Sequence, residues 1–270
     1  MTTPTARTRH RTLDGVPAHR LAARWGVPQA ELLSQHASAL DVVHELGLAG
    51  APDRTCVVVE EQTAGRGRDG RVWHSPWGGV WLGMLFRPNV PSDVRVLSIR
   101  AGLIVADVVD ELLCEPHARI KWPNDVLVAD RKVAGILCEA RSKGRVLAWL
   151  GLGIGVNVVN EIPSALTGQA AALGEFAPAI GRMGVLDRLV PALASIGRGG
   201  PLLDAGECAA FGARDWLRGR MLAAPVSGCA AGVRPDGALL VAQGTRAVPV
   251  TDGHVTLAAD GSHPSARSLA

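Results

Sequence analysis

The order of apolar and polar positions along the chain predicts short strands and helices in a mixed succession. Short β-branched runs at Cys56–Glu60 and Val80–Phe86 predict strands. Between Val94 and Leu113 apolar residues recur at helical spacing, which predicts a helix. The same criteria predict further strands at 119–122, 126–128, 133–139 and 146–159, and further helices at 41–48, 186–195 and 208–217. Because strict βαβ alternation is missing, the pattern favours an α+β fold in which helices flank a mixed sheet.

The segment from Leu13 to Gly50 is predicted to form helix and turns. Residues 21–32 resemble the centre of a helix-turn-helix, but Pro28 interrupts the pattern. Fewer than 40 residues precede the first motif, which begins at Ser38, and this is too few for a winged helix in addition to the start of the main domain. We therefore expect no DNA-binding domain and no DNA partner.

Beyond about Gly219 the pattern changes to short β segments separated by Gly, Pro and Asp. Arg234–Gly237 has the composition of a hairpin turn, so we expect a small β-barrel in this region. The predicted strands of the barrel are 221–226, 238–242, 247–250 and 254–257. The expected organisation is a disordered N-terminus at 1–14, a main domain at 15–217, the barrel at 218–258 and a disordered tail at 259–270.

Composition narrows the classes of function. The chain has 270 residues, 47% hydrophobic and 20% charged, as in an ordinary globular protein. The net charge of +3 is too small to indicate nucleic acid, and no apolar run reaches the ~18–20 residues of a membrane span. Five cysteines, an odd number without C-x-x-C spacing, favour buried thiols in a cytoplasmic protein over disulfides or zinc. Only three of the basic residues are lysines, so each lysine is a candidate for a specific role.

The first candidate for chemistry is the loop Gly65–Arg71, with the sequence GRGRDGR. Its glycines let the backbone approach a ligand, and three arginines within seven residues suit a phosphate or carboxylate. Because these cations repel each other, we expect an anion to order the loop. A dinucleotide-binding loop needs a helix here, which Pro76 and the glycines after it prevent, and the protein-kinase and Walker A patterns lack their other residues. A solvated turn or an RNA-binding segment stays open on this loop alone.

The second candidate is the segment Lys121–Asp125, KWPND, at the end of an apolar strand. A lysine held at the rim of a sheet suits a site where carboxylate and phosphate meet during reaction, although a turn with a solvated lysine fits the same pattern. Asp125 is a weak candidate for a Mg²⁺ ligand and otherwise caps the turn. Lys132 lies at the mouth of the next hairpin, and Asn157 ends a strongly apolar strand.

The histidines and cysteines of the chain do not form a pattern typical of acid–base or nucleophilic catalysis. His74 and His254 are isolated and are predicted to be surface residues, and no Ser-His-Asp set or metal cluster stands out in the sequence. If the chain is an enzyme, we expect it to act by positioning and charge stabilisation. Adenylyl transfer works in this way, because a carboxylate needs no base to attack.

Three sequence strings taken together resemble one known family. They are EQTAGRGRDGRVWHSPWGG at Glu61–Gly79, KWPNDVLVADRKVAGILCE at Lys121–Glu139 and GLGIGVNV at Gly151–Val158. Their order, spacing and flanking strands resemble those of biotin protein ligases over roughly residues 32–257. The resemblance implies a catalytic domain related to class II aminoacyl-tRNA synthetases and an SH3-like C-terminal barrel. It also implies that biotin and ATP, with Mg²⁺, give biotinyl-5′-AMP, and that a lysine of a biotin carboxyl carrier protein then takes the biotin.

The same resemblance implies roles for individual residues. Lys121 and Arg68 would be the catalytic residues, and Gly65–Gly79 would close over the intermediate and exclude water. The biotin side would be formed by Ser38, Ala39, Leu40, Gln62, Arg66, Gly67, Arg68 and Lys121. The nucleotide side would be formed by Arg68, Arg71, Trp73, Asn124, Lys132 and Asn157. The resemblance is also compatible with a homodimer.

Two other functions stay open from the sequence. A lipoate or octanoyl ligase would share the fold, but the Arg-Arg and Gly-Gly-Gly loop typical of those enzymes is missing. A biotin-responsive transcriptional repressor would need an N-terminal winged helix, for which we expect too little chain before the first motif.

One position departs from the family's pattern for the biotin ring. That motif is typically Ser-Thr-Asn or Ser-Thr-Met-Asp, and here it is Ser38-Ala39-Leu40-Asp41. We predict that Ala39→Thr tightens biotin binding by about 2- to 10-fold, because a regained hydrogen bond to the ureido group contributes ~0.5–1.5 kcal/mol. Isothermal titration calorimetry of both proteins checks this, and an unchanged dissociation constant would contradict it.

Overall fold

The computed structural model describes residues 12–87, 94–115, 117–144, 146–196 and 200–258. Its helices are α1 (Ala18–Trp25), α2 (Ala39–Leu48), α3 (Val94–Leu113), α4 (Arg182–Ala194) and α5 (Ala205–Arg214). Its strands are β1 (Thr12–Leu13), β2 (Val16–Pro17), β3 (Ala30–His36), β4 (Cys56–Gln62), β5 (Val80–Phe86), β6 (Arg119–Lys121), β7 (Asp125–Val128), β8 (Arg131–Lys143), β9 (Val146–Val156), β10 (Met221–Ala224), β11 (Gly228–Val233), β12 (Leu239–Gln243), β13 (Arg246–Val250) and β14 (Thr256–Leu257).

Seven strands form the central sheet in the order β3-β4-β5-β9-β8-β7-β6. The β3–β4 pair is parallel and the other neighbours are antiparallel, so the predicted mixed sheet flanked by helices is confirmed. Every residue of β5 is buried, because helices cover both faces of the sheet. Consecutive residues of β4 point to opposite faces: Cys56 and Val58 pack with α3 and α4, and Val57 and Val59 pack with α2.

Helix α2 approaches the sheet closely because glycines face it. A Cβ atom at Gly83 would lie 2.7 Å from Val43, and one at Gly153 would lie 2.8 Å from Leu40. Both distances are too short for a real contact, so glycine is required for this separation. The side chain of Ser38 caps the helix, since its Oγ accepts a hydrogen bond from Leu40 N at 3.3 Å. The N-terminus of α2 is therefore fixed against the sheet.

Strands β10 to β14 form a separate antiparallel sheet in the order β13-β12-β11-β10-β14. The sequence predicted the other four strands but missed β11, whose sequence GCAAGV is poor in β-branched residues. The indole Nε1 of Trp122 donates a hydrogen bond to Gly237 O at 2.9 Å. This buried contact ties the turn between β11 and β12 to the main domain.

The predicted helix and turns from Leu13 to Gly50 are wrong in one important part, because Ala30–His36 is a strand. Its sequence, AELLSQH, has no β-branched residue and carries little strand signal. Pairing with β4 and burial of Leu32 and Leu33 stabilise it instead. Residues 21–32 therefore run from α1 into a strand and do not form a helix-turn-helix.

The predicted disordered termini differ in how far the structure describes them. Thr12–Leu13 pairs with Val16–Pro17 in a short hairpin, so the prediction of disorder is wrong for residues 12–14. Residues 1–11 and the tail 259–270 lie outside the described residues.

The five cysteines are free thiols, in agreement with the prediction that no disulfide forms. Cys56 is buried, but Cys114 is exposed, so the prediction of buried thiols does not hold for every position. Among the described helices, none combines the length and the apolar content needed to cross a membrane.

Two helical glycines form a matched pair for a stability test. We predict that Gly47→Ala in α2 lowers the free energy of unfolding by about 1–2 kcal/mol, because the new Cβ would lie 2.6 Å from the Trp149 ring. Gly184→Ala in α4 should raise it by ~0.5–1 kcal/mol, since no atom lies within 4 Å and alanine has the higher helix propensity. Urea unfolding measures both changes, and two changes of the same sign would contradict this packing of α2 and α4.

Candidate active site

A cavity of about 170 Å³ lies between the N-terminus of α2, the loop after β4 and the turn between β6 and β7. It brings together residues from sequence motifs that lie far apart, among them Arg68 and Lys121. The predicted site residues that line it are Ser38, Ala39, Leu40, Gln62, Arg66, Gly67, Arg68, Arg71, Trp73, Lys121, Asn124, Asp125 and Lys132.

A second cavity of about 460 Å³ adjoins the first. Asn157, the one predicted site residue that does not line the first cavity, lines the second. The residues shared by both cavities are Arg71, Val72, Trp73, Lys121, Asp125, Lys132 and His254. A ligand with two parts could therefore occupy both cavities and pass the shared cationic residues in between.

The loop between β4 and β5 is folded back on itself as an irregular hairpin. Its backbone hydrogen bonds join Gln62 N to Ser75 O at 3.0 Å, Trp73 N to Gly65 O at 2.9 Å and Gly67 N to Arg71 O at 2.7 Å. No α-helix follows the glycines, only a 3₁₀ turn at Arg68–Gly70, as the rejection of a dinucleotide-binding loop required. The loop is therefore ordered by its own hydrogen bonds as well as by its surroundings.

Gln62 connects this loop to helix α2. Its Oε1 accepts a hydrogen bond from Ala39 N at 2.8 Å, and its Nε2 donates to Ser75 Oγ at 2.8 Å. Both ends of the amide are thus engaged with the protein. The predicted biotin-side residues Ser38 and Ala39 are held in place by this bridge, so Gln62 shapes this wall of the cavity.

Arg66 is neutralised inside the protein. Its guanidinium pairs with Asp41 at 2.7 Å and with Glu139 at 3.2 Å. These ion pairs reduce the expected repulsion among the three loop arginines. The sequence could not indicate the pair with Glu139, because that residue is 73 positions away from Arg66. We infer that the charge of Arg66 anchors the loop to α2 and β8.

Glu139 lies at the centre of a buried polar chain behind the cavity. His44 Nε2 donates to Glu139 Oε2 at 2.8 Å, and the indole Nε1 of Trp149 donates to His44 Nδ1 at 3.0 Å. These two contacts fix the tautomer of His44 with its proton on Nε2. The hydrogen bond from His44, and then the one from Arg66, lower the pKa of Glu139 to about 2.

Arg68 and Arg71 have different surroundings from Arg66. Arg68 forms an ion pair with Asp252, which belongs to the loop between β13 and β14 of the C-terminal sheet. Arg71 is exposed at the rim that both cavities share. Arg68 is thus held across a domain boundary, and Arg71 is accessible to a ligand.

Lys121 and Lys132 lie at the junction of the two cavities. Lys121 pairs in register with Asp125 across the β6–β7 turn, and Lys132 Nζ lies 2.6 Å from Asp125 Oδ1. Burial lowers the pKa of Lys121; neighbouring Lys132, Arg71 and Arg220 lower it too, and Asp125 opposes them. One carboxylate therefore faces several cations, and the excess positive charge suits an anion such as a carboxylate or phosphate.

Trp73 forms part of the wall between the two cavities. Its ring packs against the sheet, since a Cβ atom at Gly155 would lie 2.5 Å from the indole Nε1. Lys132 Nζ lies 4.8 Å from the ring centroid. The indole Nε1 is buried and has no hydrogen-bond partner among the described residues. This nitrogen faces the sheet at Gly155, so it is the ring of Trp73 that lines the cavities.

Both predicted asparagines make hydrogen bonds within the protein. Asn124 Nδ2 donates to Ile136 O at 2.8 Å, and Ile136 N donates to Asn124 O at 2.9 Å, which ties the turn after β6 to β8. Asn157 is buried and its Oδ1 accepts from Asn160 Nδ2 at 3.2 Å. Both residues line a cavity, so these roles add to the predicted nucleotide contacts without excluding them.

The loop between β13 and β14 of the C-terminal sheet contributes residues to the site that the sequence did not indicate. Gly253, His254 and Val255 line the first cavity, and His254 lines the second as well. His254 is exposed, as predicted, but it lies close to the cationic residues of the site. Partial desolvation lowers its pKa, and the positive charges of Arg71 and Lys121 lower it further. In the described part of the chain, no group of three or more His, Cys, Asp or Glu residues is arranged to hold a metal ion.

Comparisons with known proteins agree with this geometry. The sequence profile of the Biotin/lipoate A/B protein ligase family matches residues 34–157. The bifunctional ligase/repressor BirA of Bacillus subtilis is 33% identical over 237 residues, which cover 81% of this chain and 72% of that protein. The biotin–[acetyl-CoA-carboxylase] ligase of Paracoccus denitrificans is 38% identical over 156 residues, or 55% of this chain and 63% of that protein.

A solved structure shows the same similarity in three dimensions. The biotin protein ligase of Aquifex aeolicus in complex with biotin and ATP superposes with a TM-score of 0.71 at 26% identity, over 86% of this chain and 99% of that one. The chain therefore belongs to the biotin/lipoate A/B protein ligase family and, within it, to the biotin protein ligases.

The buried chain behind the cavity predicts a specific dependence of stability on pH. The folded-state pKa of Glu139 lies below its unfolded value, so its carboxylate stabilises the fold above about pH 4.5 and this contribution is lost as the pH falls towards about 2. Glu139→Gln should therefore remove about 2 kcal/mol of that pH-dependent stability, since one pKa unit corresponds to ~1.4 kcal/mol and solvent screens part of it. Urea unfolding of both proteins between pH 5 and 2.5 measures the difference, and parallel profiles would contradict it.

Proposed function

We propose that this chain is an ATP-dependent biotin ligase that activates biotin as biotinyl-5′-AMP and transfers the biotin to a lysine of a biotin carboxyl carrier protein. One observation carries the proposal: Arg68, Arg71, Lys121 and Lys132 converge on one cavity that adjoins a second, larger one. Two adjoining cavities with cations at their boundary suit an acyl group, a phosphate and a nucleoside in that order. Membership of the biotin protein ligases supports the same activity.

The first step joins two anions, and this is why the cations are needed. A carboxylate oxygen of biotin attacks the α-phosphorus of ATP, and the bond to pyrophosphate breaks as biotinyl-5′-AMP forms. Lys121 and Arg68 stabilise the negative charge that develops on the phosphate oxygens and hold the two anions together. A group with a fixed positive charge suffices, because a carboxylate attacks without loss of a proton.

The second step consumes the mixed anhydride. The uncharged amine of the carrier lysine attacks the acyl carbon, the bond between that carbon and the AMP oxygen breaks, and AMP leaves with the electron pair. The nitrogen loses one proton, to the leaving phosphate or to water, as the amide forms. We propose that the loop Gly65–Gly79 covers the first cavity and keeps water away from the anhydride. Its backbone hydrogen bonds and the ion pairs of Arg66 and Arg68 support a loop that can be held closed.

We assign the two cavities to the two parts of the intermediate. The first takes biotin, with its ring near Ser38, Ala39 and Leu40 and its carboxylate near Lys121; Gln62, Arg66 and Gly67 form the surrounding wall. The second takes the nucleoside, near Asn157 and the ring of Trp73. Arg68, Arg71, Asn124 and Lys132 complete the nucleotide side.

Mg²⁺ would enter with ATP. Mg²⁺ is usually held by one or two carboxylates together with substrate phosphates, and Asp125 is a carboxylate that lines both cavities. The same carboxylate pairs with Lys132 at 2.6 Å. When bound, the ion would neutralise phosphate charge during the first step.

Several finer features belong to the same proposal. The mixed sheet flanked by helices supports a main domain at 15–217 related to class II aminoacyl-tRNA synthetases, and the five antiparallel strands support an SH3-like barrel at 218–258. We propose that the macromolecular partner is the biotin carboxyl carrier protein domain. We also propose that the protein is cytoplasmic and that it forms a homodimer. We propose no DNA binding, because the region that resembled a helix-turn-helix runs into β3.

Mass spectrometry of the protein mixed with ATP, Mg²⁺ and biotin tests the proposal directly. We expect a product with the mass of biotinyl-5′-AMP and no equivalent adduct when lipoate replaces biotin. A lipoyl adduct without a biotinyl one would instead favour a lipoate or octanoyl ligase. A salt-dependent mobility shift of operator DNA would favour a repressor.

The role of the two catalytic residues is tested separately by substitution. We predict that Lys121→Ala and Arg68→Ala each reduce biotin-dependent pyrophosphate exchange by at least about 100-fold, because each removes charge stabilisation of the transferring phosphate. Lys143→Ala and Arg246→Ala are matched controls, since both side chains are exposed and line neither cavity. Circular dichroism should show all four variants folded. Full activity of both Lys121→Ala and Arg68→Ala would refute the assignment.

A further inference from the structure

Trp216 lies in the connection between the two domains and contacts the main sheet at its edge. The connection is the short segment between the end of α5 at Arg214 and the start of β10 at Met221. Trp216 N donates a hydrogen bond to Ile120 O at 2.9 Å, and Asp215 forms a parallel bridge with Ile120. The connection therefore pairs with β6 at a single β-bridge, next to Lys121.

The indole of Trp216 is fixed by contacts in three directions. Its Nε1 donates to Asp130 Oδ1 at 2.6 Å, in the turn between β7 and β8. The guanidinium carbon of Arg220 lies 3.9 Å from the ring centroid, and Lys121 Nζ lies 5.3 Å from it. The ring also lines the second cavity together with Lys121. A half-buried aromatic face is thus presented to the ammonium that both cavities share.

The chemistry of Lys121 makes such a contact useful. Its ammonium lies among other cations, and a lysine has four flexible carbon–carbon bonds with no planar group to orient it. An aromatic face attracts the ammonium and limits where it lies, because the ring carries negative charge density on its faces. Asp125 also attracts this ammonium, but the same carboxylate pairs with Lys132 at 2.6 Å and is shared between the two lysines.

We propose that Trp216 is a positioning residue for the adenylation step, whose ring face holds the ammonium of Lys121 at the boundary of the two cavities. The inference rests on the proposed function, because it assigns Lys121 to the reacting carboxylate and phosphate. It adds that the connection between the domains, and not the main sheet alone, sets the position of the catalytic lysine.

Two substitutions separate the ring face from the indole N–H. Trp216→Leu removes the face, and we expect kcat for biotin-dependent pyrophosphate exchange to fall roughly 3- to 30-fold, the range that corresponds to loss of a cation–π contact. KM for biotin should stay within about 3-fold, because Trp216 does not line the first cavity. Trp216→Phe keeps a ring face but loses the bond to Asp130, and kcat should stay within about 3-fold of the natural protein.

Phe176→Leu is the matched control. The ring of Phe176 makes a cation–π contact of similar length, with Arg131 at 5.2 Å, but lines neither cavity. Its kcat should be unchanged. An equal loss in Phe176→Leu and Trp216→Leu would mean that the effect reflects stability, and an equal loss in Trp216→Phe and Trp216→Leu would mean that the bond to Asp130 matters instead of the face. Either result overturns the proposal.

A double-mutant cycle shows whether Trp216 acts through Lys121. The readout is the dissociation constant for a non-hydrolysable sulfamoyl analogue of biotinyl-AMP, which is measurable without turnover. We expect Trp216→Leu to weaken binding in the natural protein but to change it by less than about 2-fold in the Lys121→Ala background. Additive effects would overturn the proposal. Failure of the natural protein to form biotinyl-AMP would refute the proposed function itself, whereas normal activity of Trp216→Leu would refute only this inference.

Discussion

The site depends on holding several like charges close together in a partly buried place. Arg68, Arg71, Lys121 and Lys132 surround the boundary of two cavities, where Asp125 is the carboxylate paired with Lys132. Repulsion between unit charges grows as water is removed, and it is reduced here by the ion pairs of Arg68 with Asp252 and of Lys132 with Asp125. An anionic ligand relieves the remaining repulsion, and the same arrangement then favours the transition state of phosphate transfer.

The surroundings of the three arginines of the glycine loop come from different parts of the chain, so the three side chains have different roles. The three arginines of the glycine loop look equivalent in sequence, yet Arg66 pairs inside the main domain, Arg68 pairs with Asp252 of the C-terminal sheet, and Arg71 is exposed. One of the three therefore anchors the loop, one joins two domains and one is available at the rim. Gly83 and Gly153 of the sheet also shape the site, because they let the N-terminus of α2 lie close to the sheet.

The sequence predicted the parts of the fold with a strong local pattern. The bounds of β5 and α3 agree with the prediction, because a run of buried apolar residues and a long helical periodicity each leave a clear signal. Strand β3 was missed because AELLSQH becomes a strand through pairing with β4, a contact that no local pattern records. Strand β11 was missed for a similar reason.

The candidate site was predictable to the same extent. Motifs placed Arg68 and Lys121 in one pocket, and they line the same cavity. Asp252, His254 and Trp216 were not found, because each is isolated in sequence and reaches the site only through contacts between distant parts of the chain. The partners of Arg66 were equally invisible, since ion pairs between distant residues depend on the finished fold.

The scarcity of lysine has a consequence for the fate of an acyl-adenylate that escapes. Such a mixed anhydride acylates whichever accessible amine it meets first. Of the three lysines here, Lys132 is ion-paired and Lys121 is half-buried at the site, which leaves Lys143 as the exposed lysine side chain. Most cations on the surface of the protein are arginines, which offer no amine to the acyl-adenylate. Intermediate that leaves the site would therefore acylate lysines of neighbouring macromolecules more than those of the protein itself.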